Sequence, residues 1–329
     1  MSDASRTVTF TFDGQEVKCQ RGETVLEALE RAGIKHPSGC RNGQCWSCKC
    51  YVDSPDKAVS QSKLPEKMKK QGALLACTYH VDEPTTLFSL PPETLAEHAL
   101  EGIIQNVQHL TDEILELTVA CEKNIEGRPG QFVQMKREDG LTRTYSIAEI
   151  SKEETKLRFH IREIPNGKMS SWLAHEDVSG NPVHLSEPQG ECHYGRTRQD
   201  QPLLLIGTGS GAAPLYGILQ EALAAKHREE IWFFHGSRNP SGLYLDTPLH
   251  KLTQEHSNLH YYGCLSGEEN LAGTHQGRVE SVAFSTLSSL TGFAVFLCGH
   301  PEMVKNAKKK AYLSGASLDE IYCDPFVAS

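Results

Sequence analysis

Ser38-Gly39-Cys40-Arg41-Asn42-Gly43-Gln44-Cys45-Trp46-Ser47-Cys48-Lys49-Cys50, "SGCRNGQCWSCKC", sets four cysteines and two glycines within thirteen residues. A disulfide knot, a zinc site, a metal–sulfur cluster and mere crowding are the readings such a stretch allows. The chain holds 11 cysteines, an odd number. Its opening, "MSDASRTVTFTFDG", has no basic start followed by an apolar run, and no stretch approaches the 18 apolar residues of a membrane span. A cytoplasmic protein is therefore expected, with no membrane association. A reducing compartment disfavours structural disulfides, so ligation is the stronger reading of the dense group.

The spacing sharpens that reading. Cys40-x4-Cys45-x2-Cys48 is followed 29 residues later by Cys77, which matches the plant-type [2Fe–2S] arrangement C-x4-C-x2-C…C. Each iron takes two terminal thiolates, and glycines let backbone amides approach the sulfurs and offset their charge. Gly39 and Gly43 stand where such approach is needed. Zinc sites usually pair their cysteines in two short knuckles, whereas here the fourth comes singly after a long gap. Cys50 falls in an emerging strand and is read as packing, as are Cys19, Cys121, Cys192 and Cys264.

Working outward, "VTFTFD" alternates like a half-buried strand, Asp13-Gly14 reads as a hairpin turn, and "QEVKC" returns as its partner. Thr24 opens the helical run "TVLEALERAG", which Gly33 ends. This gives a small α+β module over residues 1–92. The segment 93–100, within "SLPPETLAEHALEG", is read as a linker. Across 101–198 the short strands "IIQNVQHL", "ILELTVAC", "QFVQMKR", "RTYSIAEI", "KLRFHIREI" and "NPVHLSEP" suggest an antiparallel barrel. Across 199–329 "PLLLIG", "EIWFFHG", "NLHYYGCLS" and "FAVFLCGH" are continuous apolar runs, each the mark of a strand buried on both faces. Helix-like stretches such as "PLYGILQEALAAK" and "PEMVKNAKKKAYLSG" alternate with them, which reads as a doubly wound parallel sheet. Residues 1–90 carry a net charge of +1 and the remainder −10; an acidic body argues against nucleic-acid binding.

With these residues in view, the first module resembles the plant-type ferredoxin domain, a β-grasp fold. Residues 101–329 resemble the ferredoxin–NADP reductase superfamily, a flavin-binding barrel followed by a nicotinamide domain. In this order the chain looks like the reductase component of multicomponent oxygenases of the Rieske or di-iron type. The resemblance rests on several motifs. "RTYS", Arg143 to Ser146, is the superfamily's R-x-Y-S. It implies that Arg143 forks a flavin pyrophosphate, that Tyr145, on the same strand face, stacks on the isoalloxazine, and that Ser146 sits beside the flavin N5. "RPGQFVQM" is similar to its P-G-Q-F strand. "NGKMSSWL" is similar to its G-x-x-S loop, in which Gly167, Lys168, Met169 and Ser170 meet the pyrophosphate at a helix N-terminus. FAD is expected, with FMN the alternative.

"GTGSGA" satisfies G-x-G-x-x-G/A between a buried strand and a helix, so Gly207, Thr208, Gly209 and Gly211 are expected to cradle a nicotinamide dinucleotide. Ser237 and Arg238 stand where an acidic residue would bind the adenine ribose. An arginine there suits a 2′-phosphate, yet "GSRNPSGLYL" resembles NADH-using relatives, so NADH is expected and NADPH is the alternative. "FLCGHPEMV" resembles the C-G-x-P-x-M motif, which implies that Cys298 and Gly299 lie near the nicotinamide C4. "IYCDPFVAS" resembles the superfamily's terminal E-x-Y/F, with Asp324 in place of the glutamate and Phe326 over the flavin. Ser146, Cys298 and Asp324 are thus the expected catalytic set. Nicotinamide gives electrons in pairs and a [2Fe–2S] cluster takes them singly, and a flavin mediates between the two. The expected acceptor is a terminal oxygenase or hydroxylase. A deoxysugar dehydrase, a cytochrome and a redox-sensor role are the alternatives. Arg41, Lys49 and "KLPEKMKK" are read as a basic docking face.

Overall fold

In the computed structural model, the described residues are 7–44, 46, 48–52, 64, 66–70, 72–89, 100–151, 153, 155–269 and 271–326. Two compact units divide the chain, Met1–His98 and Ala99–Ser329.

The first unit is a five-stranded mixed sheet. Its strands are β1 (Val8–Phe12), β2 (Gln15–Cys19), β3 (Lys49–Val52), β4 (Ala73–Leu75) and β5 (Thr86–Phe88), in the order β2-β1-β5-β3-β4. Asp13 and Gly14 both take positive φ, 47° and 81°, as a two-residue turn matched to strand twist requires. β1 and β5 pair in parallel at the centre. Helix α1 (Val25–Arg31) begins at a capping box: the Thr24 hydroxyl accepts from the Glu27 amide, and the Glu27 carboxylate accepts from the Thr24 amide. It buries Val25, Leu26, Ala28 and Leu29, and its first turn is tied by backbone bonds to Ala76 and Tyr79, on either side of Cys77–Thr78. A sheet grasping one helix is the expected β-grasp. The short helix α2 (Glu66–Lys70) precedes β4.

The second unit has two lobes. The barrel comprises β6 (Leu100–His109), β7 (Ile114–Cys121), β8 (Phe132–Lys136), β9 (Thr142–Ser146), β10 (Glu149–Ser151), β11 (Lys156–Arg162) and β12 (Pro182–Leu185). Leu100, assigned to the linker from sequence, is the first residue of β6; residues 93–99 lie outside the described residues. All pairings are antiparallel, in the order β10-β11-β7-β6-β12-β8-β9. The two end strands are continuous through Ile147-Ala148, whose amides bond Gln131 and Arg158, so the sheet closes on itself. Helix α3 (Lys168–His175) buries Met169, Trp172 and Leu173 in the core with Phe159, Leu117 and Val133.

The other lobe is a parallel sheet of β13 (Leu203–Thr208), β14 (Ile231–Ser237), β15 (Leu259–Leu265), β16 (His275–Gln276), β17 (Ala294–Gly299) and β18 (Ile321–Pro325). The order is β16-β15-β14-β13-β17-β18. Leu203 and Leu205 pack with α4 (Ala212–Ala224) and α5 (Asp246–Glu255). Leu204 and Ile206 are equally buried on the opposite face. There α6 (Val279–Thr286) and α7 (Pro301–Leu313) lie against β13, β14, β17 and β18. The chain builds outward from β13 through β14 to β16, then returns to β13's other side as β17. That reversal opens a crevice at the carboxyl ends of β13 and β17, where doubly wound sheets bind their ligands.

Candidate functional site

Three adjacent strands bring their ends into one row. Gly207 on β13 is in register with Cys298 on β17, and Cys298 with Asp324 on β18. The turn after β13 is pressed against the end of β17. A Cβ on Gly211 would stand 2.5 Å from the Cys298 carbonyl oxygen and 2.6 Å from the Gly299 Cα. Thr208 Oγ1 accepts the His300 amide at 2.9 Å. The thirteen-residue helix α4 begins directly after this turn, so its N-terminal amides and positive dipole end face the crevice.

The barrel completes the site. Ser146, at the end of β9, donates its hydroxyl hydrogen to Asp324 Oδ2 at 2.5 Å. This contact spans 178 residues and unites the R-x-Y-S strand with the row above. Tyr145 packs on the barrel core beside Phe159, ring centroids 6.5 Å apart, and burial raises its pKa. Arg143, on the same strand face, donates Nη1 to the Thr142 carbonyl at 2.8 Å. In the loop before α3, the Ser170 hydroxyl accepts the Ile164 amide at 3.1 Å and donates to the Gly167 carbonyl at 3.4 Å. Ser170 is thus engaged within the loop and buried, and Met169 points into the barrel core; Lys168 is exposed. What these residues offer an anionic group is mainly backbone at a helix N-terminus. Ser237 and Arg238 form a turn zipped to Ser266 and Gly267 by backbone bonds of 3.0 Å, with the Arg238 side chain exposed. The Phe326 amide donates to the Gly299 carbonyl at 2.8 Å, and its ring is half-buried.

Cys298 is fully buried, and its sulfur lies 3.6 Å from that of Cys192. Cys192 is buried in core packing, as expected, and the residue it packs on is Cys298. Nothing local signals this, because 106 residues separate the pair. Burial, the Cys192 contact and the nearby Asp324 charge together push the Cys298 thiol well above its usual pKa. Arg162, His160, His235 and Tyr244 also gather at this lobe junction and were not singled out from sequence. The alternation of "KLRFHIREI" was the available signal, since it puts His160 and Arg162 on one strand face.

In the first unit Cys40, Cys48 and Cys77 are buried in one loop region, and Cys45 lies outside the described residues. A two-iron cluster asks two thiolates of each iron, and the four-cysteine set supplies them. The donor set fits that group. The Gln44 amide donates to Cys40 Sγ at 3.3 Å. A hydrogen bond from Cys48 and the Gly43 amide lower the Cys77 pKa, against burial and the Cys40 charge. Arg41, Gly43 and Trp46 all take positive φ, which curls the loop so that such amides turn inward. Trp46 also holds its indole Nε1 buried with no hydrogen-bond partner among the described residues. The basic docking face expected here is thinner than the sequence suggested. Arg41 is ion-paired with Glu30 and Lys69 is buried. Burial lowers the Lys49 pKa to about 8. The Glu66 and Lys67 side chains lie outside the described residues.

Comparison with known proteins assigns each region. Residues 10–82 match the 2Fe-2S iron-sulfur cluster binding domain, 104–194 the oxidoreductase FAD-binding domain, and 205–309 the oxidoreductase NAD-binding domain. The protein is an iron–sulfur flavoprotein oxidoreductase that uses a nicotinamide dinucleotide. Its relatives include reductase components of aromatic dioxygenase and monooxygenase systems. It is 29% identical to the reductase subunit of an aromatic O-demethylase from Amycolatopsis sp., over 92% of this chain and 93% of that one. It is 28% identical to the ferredoxin–NAD(P)(+) reductase component of a naphthalene 1,2-dioxygenase system from Pseudomonas putida, over 93% and 94%. The crystal structure of an Amycolatopsis cytochrome P450 reductase superposes with a TM-score of 0.67 at 26% identity, covering 97% of this chain and 99% of that one.

Proposed function

We propose that this protein takes hydride from NADH at FAD and feeds electrons singly, through its [2Fe–2S] cluster, to a terminal oxygenase or hydroxylase. The observation that carries the reading is the Ser146–Asp324 hydrogen bond, which joins the flavin-type strand to the Gly207–Cys298–Asp324 row. When bound, FAD accepts an electron pair from the nicotinamide and releases single electrons to the cluster. The protein's own contribution is position. The amides of α4 and of the Gly207–Gly211 turn receive the dinucleotide pyrophosphate. Arg143 and the Gly167–Ser170 backbone receive the flavin pyrophosphate, with Tyr145 and Phe326 against its ring. Ser146 is oriented by Asp324 at the hydride path, and Cys298 closes the crevice floor and excludes water. Cys40, Cys45, Cys48 and Cys77 hold the cluster.

NADH is the inferred donor, and comparing kcat/KM for NADH and NADPH tests this. The cytoplasm is the inferred location; no described helix is long and apolar enough to cross a membrane, and cell fractionation checks it. The central test is an anaerobic NADH titration of the loaded protein, followed by addition of an oxygenase component encoded beside it. Flavin bleaching, cluster bleaching and stoichiometric reduction of that component support the reading. Bleaching that never reaches the cluster sinks it. The likeness to the Amycolatopsis cytochrome P450 reductase favours a second acceptor, a cytochrome P450. Reduction of a neighbouring haem protein in place of a non-haem oxygenase would select it.

A further inference from the structure

A polar junction that the hydride path does not use links the barrel to the dinucleotide turn. His160 on β11 stands opposite Glu116 on β7 in the ladder, with His160 Nε2 3.4 Å from Glu116 Oε2. A carboxylate only accepts, which assigns the hydrogen to Nε2 and makes Nδ1 an acceptor. The Tyr244 hydroxyl, 3.0 Å from Nδ1, donates to it. Tyr244 lies between β14 and α5, in the other lobe. Its ring meets His160 edge-on at 5.5 Å and His235 edge-on at 5.7 Å. His235 is fully buried, and its Nε2 donates to the Gly209 carbonyl at 3.3 Å. From the barrel Arg162, two residues beyond His160, places Nη2 2.8 Å from where a Gly209 Cβ would stand. Gly209 is therefore gripped by one residue from each lobe, and Tyr244 bridges the histidines of the two.

We propose that Tyr244 is a positioning residue: with His160 and Glu116 it forms a clasp that fixes the Gly209 turn against the barrel and so sets how the nicotinamide meets the flavin. Tyr244 touches no reacting atom and acts through the turn it braces. A directional, part-buried hydrogen bond suits this task better than an apolar contact, because it specifies one separation and one orientation. Hydride transfer is sensitive to such placement, since a misplacement of about 1 Å can cost on the order of 100-fold in rate. The clasp rests on the reading given under Proposed function.

The test uses the full, flavin-loaded chain. Tyr244→Phe keeps both ring contacts and removes the donor. The expected result is an about tenfold slower flavin reduction by NADH in anaerobic stopped flow, with at least half of the nicotinamide–flavin charge-transfer absorbance lost. The NAD+ Kd should stay within about threefold, because the turn itself is intact. His160→Gln, whose amide accepts from Tyr244 and donates to Glu116, should restore most of the rate relative to His160→Leu. The double variant Tyr244→Phe/His160→Leu should be no slower than either single. Unchanged rate and charge-transfer absorbance in Tyr244→Phe would overturn the clasp, and so would a double variant whose loss is the product of the singles. Should His160→Leu fail to fold, Tyr244→Phe and His160→Gln decide the matter alone. A parent protein whose flavin NADH does not bleach removes the functional reading first, and the clasp with it.

Discussion

Replacing Gly217 with alanine isolates the contact that seats α4 on the barrel. Glycine within a helix costs about 0.5–1 kcal/mol relative to alanine, so propensity alone predicts a gain in stability. Packing predicts the reverse. A Cβ on Gly217 would stand 2.1 Å from the Ala148 carbonyl oxygen and 2.5 Å from the Pro129 Cβ, where carbon contacts normally settle at about 3.5–4.0 Å. One neighbour is backbone and the other a proline ring, so neither can rotate aside. Relief demands about an ångström of separation between α4 and the barrel. Overpacking typically costs about 1–3 kcal/mol, and unyielding neighbours put this case at the upper end. After the propensity gain, a net loss of about 2 kcal/mol remains, a fall in Tm of about 4–8 °C for a unit of this size. Activity should suffer too, because Ala148 is two residues from Ser146 and its displacement pulls Ser146 from Asp324. Calorimetry of the flavin-loaded Gly217→Ala protein reads the first effect, and anaerobic flavin reduction by NADH reads the second. A Tm equal to or above the parent's would refute the reasoning, since propensity would then have outweighed the clash.

Asp324→Ala removes the acceptor of the Ser146 hydroxyl. Hydrogen bonds to charged groups are worth about 1.5–3 kcal/mol, so hydride transfer should slow about 10- to 100-fold at unchanged flavin and iron content; an unaltered stopped-flow rate would detach Asp324 from the hydride path. Burial holds His235 to about 4, and burial with the Arg128 and Arg196 charges holds His193 to about 4. The unfolded chain protonates these rings near 6.5, so between pH 6.5 and 4 it binds protons that the folded state refuses. Stability of the second unit therefore falls as pH drops through that window and levels off below it, by roughly 3 kcal/mol for His235 alone. A Tm that stays flat from pH 7.5 to 4.5 would contradict this. Thr24→Ala breaks the capping box at α1 and should cost about 1 kcal/mol. Thermal bleaching of the cluster would come earlier while the flavin transition stays put, and bleaching at the parent's temperature would show that the cap is redundant.

Legibility in the sequence followed locality. The Asp13-Gly14 turn and the Thr24 cap each act within a few residues, and each is found where the sequence puts it. Apolar runs such as Leu203–Ile206 announced strands buried on both faces because period and length agree. The last strand was less legible. Ile321–Pro325 contains an aspartate and a proline, both poor strand formers, and it was read only as a terminal motif. Among the described residues it pairs on one side alone, with β17, so Pro325 needs no second ladder partner. Helix α5 was missed for the opposite reason: Leu249 is its single fully buried residue, so its apolar stripe is too thin to declare a period.

The site illustrates the same division at longer range. Ser146, Cys298 and Asp324 were each nameable from a motif, but what joins them is register and lobe packing. Cys298 and Asp324 become neighbours because β17 and β18 pair in parallel with those two residues opposed. Ser146 reaches them because Gly217 and Gly211 let α4 and its turn settle to van der Waals limits against Ala148 and the Cys298–Gly299 backbone. Neither glycine is needed there for an unusual φ: both are helical in position, and Gly211 has a φ of −64°. Their missing side chains are the functional feature. A motif search scores Gly211 as part of a phosphate-cradling turn and passes over Gly217, yet the same steric argument governs both. The placement of Ser146 beside Asp324 and Cys298 thus depends on two absent Cβ atoms as much as on the side chains in the row.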